Sequence, residues 1–157
     1  MVEATVCFIL DGSPPERILL GLKKRGFGAG KYNGLGGKVL AHETPLKAIV
    51  SEVEEESGLI LSADHLRPMG SVDFFFPFRR EYEQHVHVFL ADAWEGEMRE
   101  TDEMAPTWLA IDEIPHSKMW ADDAHWLPLV LAGRRIEAEF AFGEDNETIV
   151  SFAICEF

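Results

Sequence analysis

The chain of 157 residues is poor in cysteine and in basic residues, and it has no long hydrophobic run. Two cysteines, Cys7 and Cys155, are too few for a disulfide framework, so we expect a reducing, cytoplasmic environment. No apolar stretch approaches the ~20 residues that cross a bilayer, which excludes a transmembrane helix. The first residues include Glu3 and no basic segment, so no signal peptide is predicted.

Positive charge is scarce. Lys and Arg number 14 against 28 Asp and Glu, which gives a formal net charge of −14. Duplex nucleic acid and anionic membranes attract basic surfaces, so neither is an expected partner. If the ligand is itself anionic, a divalent cation has to lie between it and the carboxylates. The alternative is that the charge only keeps the chain in solution.

A hydrophobic content of 46% is that of a folded protein. The length predicts one domain over residues 1–157, since the chain is long enough for a core and too short for two ordinary domains. Two helices are predicted, near 45–57 and 122–131, each with a glycine shortly after its end. Alternating or aromatic-rich segments predict strands near 5–10, 18–24, 71–76, 85–92, 135–142 and 148–157. This pattern is typical of an α+β fold in which a mixed sheet is sandwiched between helices (α/β/α).

A glycine-rich loop follows the second predicted strand. Residues 26–37, GFGAGKYNGLGG, hold six of the 13 glycines, which permit positive φ angles and a close approach of the backbone to a ligand. The loop lacks the Lys-Ser or Lys-Thr pair of a P-loop and the strand–helix context of a dinucleotide-binding fingerprint. The basic cluster 23–25 precedes it and either meets phosphate oxygens or is a solvated strand end.

The first predicted helix carries a row of carboxylates. Thr44 suits the N-cap and Pro45 the first helical position. Glu52, Glu55 and Glu56 recur at spacings that place them on one face of the helix. Carboxylate oxygens at such spacing suit Mg²⁺ or Mn²⁺, whereas the alternative is a solvated acidic face.

The wider spacing around this helix favours the metal-binding interpretation. Gly37 is followed after five residues by Glu43, and after seven more by the run from Ser51 to Leu59, SEVEEESGL. This resembles the Nudix box, G-x5-E-x7-R-E-U-x-E-E-x-G-U with U aliphatic, at eight of its nine fixed positions. The sequence is therefore similar to the Nudix hydrolases.

The resemblance implies a Nudix fold and hydrolysis of a nucleoside diphosphate linked to another group, with Mg²⁺, or alternatively Mn²⁺, bridging the phosphates. Glu43 would close the loop onto the helix, and one of the carboxylates would help to activate water. By position, the catalytic and metal-binding carboxylates would be Glu52, Glu55, Glu56 and Glu103, with the backbone of Gly36 or Gly37 completing the metal ligands.

Similarity beyond the box, at 23–39, 102–104 and 119–129, is to family members that convert oxidised purine nucleoside triphosphates such as 8-oxo-dGTP to the monophosphate and pyrophosphate. Asn33, Asp122 and Asp123 would hydrogen-bond the base, and Phe27 and Trp120 would contact its faces. The substrate-binding residues implied by position are Phe8, Lys23, Phe27, Asn33, Phe74, Trp120, Asp122 and Asp123.

These assignments suit a purine, which has flat π faces and a polar rim. Of two adjacent aspartates in an apolar pocket, one tends to have a raised pKa, and its protonated form donates where the ionised partner accepts. The alternatives are that Asp122 and Asp123 cap a helix and that Trp120 is an ordinary core residue.

Two departures from the family pattern keep other functions open. Ser51 replaces the arginine of the box, so we also consider a nucleotide-binding module with little turnover; Lys47, one turn earlier, is a candidate substitute cation. Phe8 replaces a small polar residue, which favours a Nudix hydrolase acting on another nucleotide.

We expect a monomer, because no apolar stripe is left once the core is assigned. His85 and His87 share a strand face, but without an evident third ligand they are interpreted as structural.

Overall fold

Eight strands and two helices follow one another along the chain, and the computed structural model describes residues 1–157. The helices are α1 (Pro45–Ser57) and α2 (Asp123–Leu131). The strands are β1 (Val2–Asp11), β2 (Arg17–Lys23), β3 (Tyr32–Asn33), β4 (Leu66–Phe75), β5 (Gln84–Ala91), β6 (Met104–Ala110), β7 (Ile136–Phe142) and β8 (Ile149–Glu156). All six predicted strands and both helices are confirmed.

All eight strands belong to one mixed sheet. Its order is β3-β2-β1-β5-β4-β7-β8, and β6 pairs along β2. The pairs β1–β5 and β4–β7 are parallel, whereas the other pairs are antiparallel. The predicted α+β class with a mixed sheet is therefore confirmed.

The sequence did not predict β3 and β6. β3 has only two residues, too few for any periodic pattern. β6 contains Pro106, which opposes a strand assignment because proline cannot donate to the ladder. The structure accommodates Pro106 because β6 pairs on one side only, with β2.

The core lies in two layers, one on each face of the sheet. Ile49 and Val53 of α1 belong to a buried cluster with Cys7 and other residues of the sheet. On the other face, Trp126 of α2 belongs to a cluster with Phe8. Alternate residues of β1 thus point to opposite helices, which confirms the predicted sandwich.

Local signals define α1. The Thr44 hydroxyl accepts the Lys47 N–H at 3.2 Å, and Pro45 begins the helix. Gly58 ends it in the left-handed region with φ +79°, where its N–H donates to the Glu54 carbonyl. The predicted bounds are confirmed at both ends, so the glutamates of α1 lie in the register that the sequence implied.

One expectation about the surface is wrong. The edge strand β8 exposes Val150 and Phe152, at 66% and 49% of their surface, so an apolar stripe does remain outside the core. The argument for a monomer from the absence of such a stripe therefore fails, and the oligomeric state stays a separate question. None of the helices is long and apolar enough to cross a membrane.

Candidate active site

A cavity of about 330 Å³ opens beside the glycine-rich loop. Strands β1, β4, β5 and β7, the loop and the start of α2 supply its walls. A volume of this size is at the lower end of the range for small-molecule sites. Its aromatic lining consists of Phe27, Phe74, Phe76, Trp120, Trp126 and Phe142. Three of these, Phe27, Phe74 and Trp120, were predicted from the sequence.

Neighbouring rings hold the predicted aromatic side chains in place. Phe27 stacks on Tyr82 with ring centroids 3.8 Å apart, and its centroid lies 5.0 Å from that of Trp120. The Lys31 ammonium lies 5.1 Å from the Trp120 ring centroid, within the range of a cation–π interaction. The sequence analysis did not predict these contacts of Lys31 and Tyr82. Lys31 could have been proposed as a site residue, because it lies in the glycine-rich loop.

Asp122 and Asp123 line the cavity and are each 2% exposed. The Trp126 indole N–H donates to Asp122 Oδ2 at 2.8 Å. Asp122 Oδ1 and Asp123 Oδ2 are buried with no hydrogen-bond partner in the protein. Asp122 makes no side-chain capping bond to α2, so the helix-cap alternative is wrong for it. Two buried acceptors without partners are costly unless a ligand pairs with them.

Burial changes the protonation of this pair. Loss of hydration raises the pKa of Asp122 to about 6, although the Trp126 hydrogen bond partly opposes the shift. Burial and the adjacent Asp122 carboxylate raise the pKa of Asp123 well above its usual value. The pair therefore tends to hold a proton, so that one oxygen donates while the others accept.

Asn33 and Lys23 also line the cavity, as predicted. Asn33 Oδ1 accepts the Gly34 N–H at 2.8 Å, which orients the side-chain amide and leaves its NH₂ group as a donor. Lys23 ends β2, next to the loop. Together with the aspartates, these residues supply donors, acceptors and a positive charge around one apolar space.

Phe8 does not line the cavity, which corrects its predicted contact with substrate. Its ring is fully buried and packs edge-on against Trp126, with centroids 5.8 Å apart. On the same face of β1, Ala4 and Val6 do line the cavity. The strand therefore passes from the cavity wall into the core between Val6 and Phe8.

Glu56 connects this cavity to the acidic face of α1, since it lines the same space. Its Oε1 accepts the Gly36 N–H at 2.8 Å, which leaves Oε2 free of that bond. Burial raises the pKa of Glu56 to about 7, and the negative charges of Glu52 and Glu103 add to the shift. The Gly36 hydrogen bond and the positive charge of Lys23 oppose it. A partly buried carboxylate among like charges is a typical position for a cation ligand.

Glu52 lies directly against the glycine-rich loop. A Cβ atom on Gly37 would lie 2.5 Å from Glu52 Cδ, so a larger residue at this position would displace the Glu52 carboxylate. The pKa of Glu52 is raised, mainly by burial and then by the charges of Glu55, Glu43 and Glu103. Glu43 itself accepts the Leu40 N–H at 2.9 Å, a bond within the loop, so its implied role of closing the loop onto the helix stays a prediction.

The oxygen atoms around α1 suit a hydrated divalent cation. Glu52, Glu55, Glu56 and Glu103 are close enough to affect one another electrostatically, but they do not form a tight set of ligand atoms all within 4.8 Å. Mg²⁺ tolerates such spacing because it retains waters and binds substrate phosphates. The Gly37 carbonyl already accepts two bonds from Thr5, at 2.8 and 2.9 Å, so the Gly36 carbonyl is the freer backbone ligand.

Basic side chains other than Lys47 approach the carboxylates. Ser51 and Lys47 are both exposed, and Lys47 forms no ion pair, so the suggestion that it replaces the missing arginine has no support. Arg25 lies 3.4 Å from Glu103, and Lys23 interacts electrostatically with Glu56. Positive charge at this site therefore comes from the strand end before the loop and from Lys31 and Lys38, which line the same cavity.

This fold and the carboxylate helix define a class of hydrolase. The sequence model of the NUDIX domain matches residues 2–130, and the chain belongs to the Nudix family. Members of this family depend on divalent metal ions, and the predicted resemblance to Nudix hydrolases is confirmed.

Similar proteins include two animal enzymes. The oxidized purine nucleoside triphosphate hydrolase of Danio rerio is 49% identical over 142 residues, which cover 90% of this chain and 88% of the relative. The Mus musculus protein of the same name is 44% identical over the same shares. Among solved structures, a MutT protein from Bacillus halodurans has a TM-score of 0.83 at 25% identity, covering 98% of this chain and 97% of that one.

Proposed function

We propose that this chain hydrolyses oxidised purine nucleoside triphosphates, such as 8-oxo-dGTP, to the monophosphate and pyrophosphate. The observation that carries the proposal is the pair of unpartnered aspartate oxygens in an aromatic cavity that Glu56 also lines. The two animal relatives named for this activity support it. Such a reaction would remove damaged precursors from the nucleotide pool.

The cavity offers a purine each kind of contact that it needs. Phe27 and Trp120 would contact the faces of the base, with Phe74 against its edge. Asn33 would donate its NH₂ group to an acceptor on the rim of the base. Asp122 and Asp123, sharing a proton, would accept from one base atom and donate to another, which suits a purine whose oxo group has altered its tautomer.

The carboxylates of α1 would hold the cation, for which we propose Mg²⁺ with Mn²⁺ as the alternative. When bound, the cation neutralises charge on the phosphates and activates a water molecule. Glu52, Glu55, Glu56 and Glu103 would provide oxygen ligands, with the Gly36 carbonyl beside them. Lys23 would lie near the phosphates, and the Gly36 N–H would keep Glu56 in its orientation. Most of the acceleration would come from positioning and electrostatic stabilisation.

The experiment measures pyrophosphate release from 8-oxo-dGTP and from dGTP, with Mg²⁺ and with EDTA. Glu56→Gln keeps the shape of the side chain and removes its charge, and we expect a loss of kcat of at least about 100-fold. Glu54→Gln is the matched control, since Glu54 is exposed on the same helix.

The proposal is supported if pyrophosphate release depends on the metal, favours 8-oxo-dGTP, and is lost in Glu56→Gln but not in Glu54→Gln. Release favouring dGTP would indicate a Nudix hydrolase of another nucleotide. Tight Mg²⁺-dependent binding without release would indicate the low-turnover module that Ser51 suggests, and Ser51→Arg would then test whether the missing arginine is the cause.

We also propose that residues 1–157 act as one domain, as a monomer in spite of the exposed apolar residues of β8, and in the cytoplasm. One sheet that includes both β1 and β8 supports the first statement, and the two free cysteines support the last. Sedimentation equilibrium of the purified chain would test the monomer, and fractionation of cells producing the protein would test its location.

A further inference from the structure

A second group of potential metal ligands lies outside the cavity, on the sheet. Glu3 belongs to β1, and His85 and His87 belong to β5. The strands are parallel with Glu3 opposite His85, so all three side chains point to the same face. On the other side of β5, Asp73 of β4 is opposite His85. None of these four residues lines the nucleotide cavity.

The three side chains converge as a metal site requires. Each offers one ligand atom, and these atoms all lie within 4.8 Å of one another. No other set of three His, Cys, Asp or Glu side chains in the protein meets this condition, including the glutamates of α1. The sequence identified the two histidines but not Glu3, because 82 positions of chain separate it from His85 and only the strand pairing brings them together.

The distance between His87 Nε2 and Glu3 Oε1 suits two ligands of one metal ion. His87 Nε2 lies 3.5 Å from Glu3 Oε1, and this buried nitrogen has no hydrogen-bond partner. Zinc binds imidazole nitrogen and carboxylate oxygen at ~2.0–2.2 Å, so two ligands at a tetrahedral angle lie about 3.4 Å apart. The observed separation fits two ligands on one tetrahedral ion, and it is long for a hydrogen bond.

Asp73 provides the outer partner that metal-bound histidines usually have. Its Oδ1 contacts His85 Nδ1, and this carboxylate fixes the tautomer of the ring, leaving Nε2 as the nitrogen that can bind a metal. The remaining features suit an accessible site: Glu3 is 57% exposed, and the net charge of −14 attracts cations.

We propose that Glu3, His85 and His87 bind a Zn²⁺ ion, with Asp73 orienting His85 and a water molecule in the fourth position. Two imidazoles favour zinc or another late first-row metal over Mg²⁺, which prefers oxygen ligands. The site is therefore chemically distinct from the carboxylate site on α1, and it does not depend on the proposed nucleotide activity.

The test is a titration of the purified protein with Zn²⁺ against a chromophoric chelator, in excess Mg²⁺ to occupy the carboxylates of α1. We expect one Zn²⁺ per chain. Asp73→Asn should weaken binding about 10- to 100-fold, as loss of an outer partner does. Glu3→Gln and His87→Gln should weaken it further. His65→Gln is the matched control, because His65 lies 3.4 Å from Asp92 but has no third ligand.

Two further measurements make the result decisive. Co²⁺ in place of Zn²⁺ should give the intense visible absorption of a tetrahedral site, and His87→Gln should abolish it. Glu56→Gln should bind Zn²⁺ as the wild type does. The proposal is overturned if no Zn²⁺ binds, or if Glu3→Gln and His87→Gln, shown by circular dichroism to be folded, bind it as tightly as the wild type. Binding that is lost in Glu56→Gln would also overturn it.

Discussion

Asp122 and Asp123 are adjacent in the chain but differ in what they bind. Trp126 already donates to Asp122 Oδ2, whereas Asp123 Oδ2 is buried with no partner in the protein. Asp122 Oδ1 is unpartnered too, so a ligand that enters the cavity can pair with one oxygen of each aspartate. At the scale of single residues, Trp126 therefore holds Asp122 in place and leaves it one free oxygen, whereas no side chain of the protein donates to Asp123.

The consequence for catalysis is a prediction on Asp123→Asn. The amide still accepts one bond but cannot exchange a proton with Asp122, so the variant should lose about 10- to 100-fold in kcat/KM for 8-oxo-dGTP. That loss corresponds to a charge-assisted hydrogen bond of ~1.5–3 kcal/mol. Steady-state pyrophosphate release measures it. Asp64→Asn, at an exposed position, is the control, and equal kcat/KM in both variants would exclude Asp123 from base recognition.

Single residues also show where sequence reasoning stops. Asn33, Phe74 and Trp120 were placed correctly because the resemblance transfers positions, and the fold keeps those positions at the cavity. Phe8 was also assigned by position, but it stands where the family has a small polar residue, and its buried ring packs against Trp126 outside the cavity lining. Glu3 was missed as a ligand because its partners lie on another strand.

At the scale of elements, a helix or strand was predicted where the residues that specify it are close together in the sequence. Helix α1 was predicted from Pro45 to Ser57 because its capping residues, its apolar stripe and Gly58 are all local in sequence. Strand β6 was not, because only its pairing with β2 makes a segment with a central proline a strand. The hydrogen bond between Glu56 and the Gly36 N–H depends on local signals, which set the register of α1, and on long-range packing, which brings the loop to the helix.

The N-cap of α1 gives a prediction at this scale. Thr44→Ala removes the acceptor of the Lys47 N–H and should lower the free energy of unfolding by about 1 kcal/mol, within the usual range of ~0.5–2 kcal/mol. Thr44→Ser keeps a hydroxyl and should remain near the wild-type value. Urea unfolding followed by circular dichroism compares the three proteins. Equal stability of the alanine and serine variants would show that the cap does not stabilise α1.

At the scale of the whole molecule, the sheet brings together residues that the chain keeps apart. The parallel pair β1–β5 places Glu3 beside His85, and the parallel pair β4–β7 places Phe74 opposite Phe140, within an aromatic layer that reaches the cavity. Neither pairing has a local sequence signal, since parallel strands are joined by long connections. The class of fold was predictable from the elements, whereas the zinc-ligand cluster was visible only in the assembled sheet.

The buried aspartates also affect the stability of the entire chain. Their pKa values are raised in the folded state, so the folded protein holds more protons than the unfolded chain between about pH 4 and the folded pKa values. The free energy of unfolding therefore falls as pH rises through this window. Both aspartates contribute in the same direction, because burial raises the pKa of each.

The double variant Asp122→Asn, Asp123→Asn separates this effect from the repulsion that the net charge of −14 produces as carboxyls ionise. An asparagine at 122 can still accept the Trp126 N–H. We expect the variant to lose less stability than the wild type between pH 4 and pH 8, so that its relative stability increases with pH. Asp64→Asn removes a charge from the exposed surface and should follow the wild-type profile. Urea unfolding across this range is the measurement. Parallel profiles for the wild type and the double variant would mean that the aspartates titrate alike in the folded and unfolded states, and the shared proton proposed for base recognition would then have no physical basis.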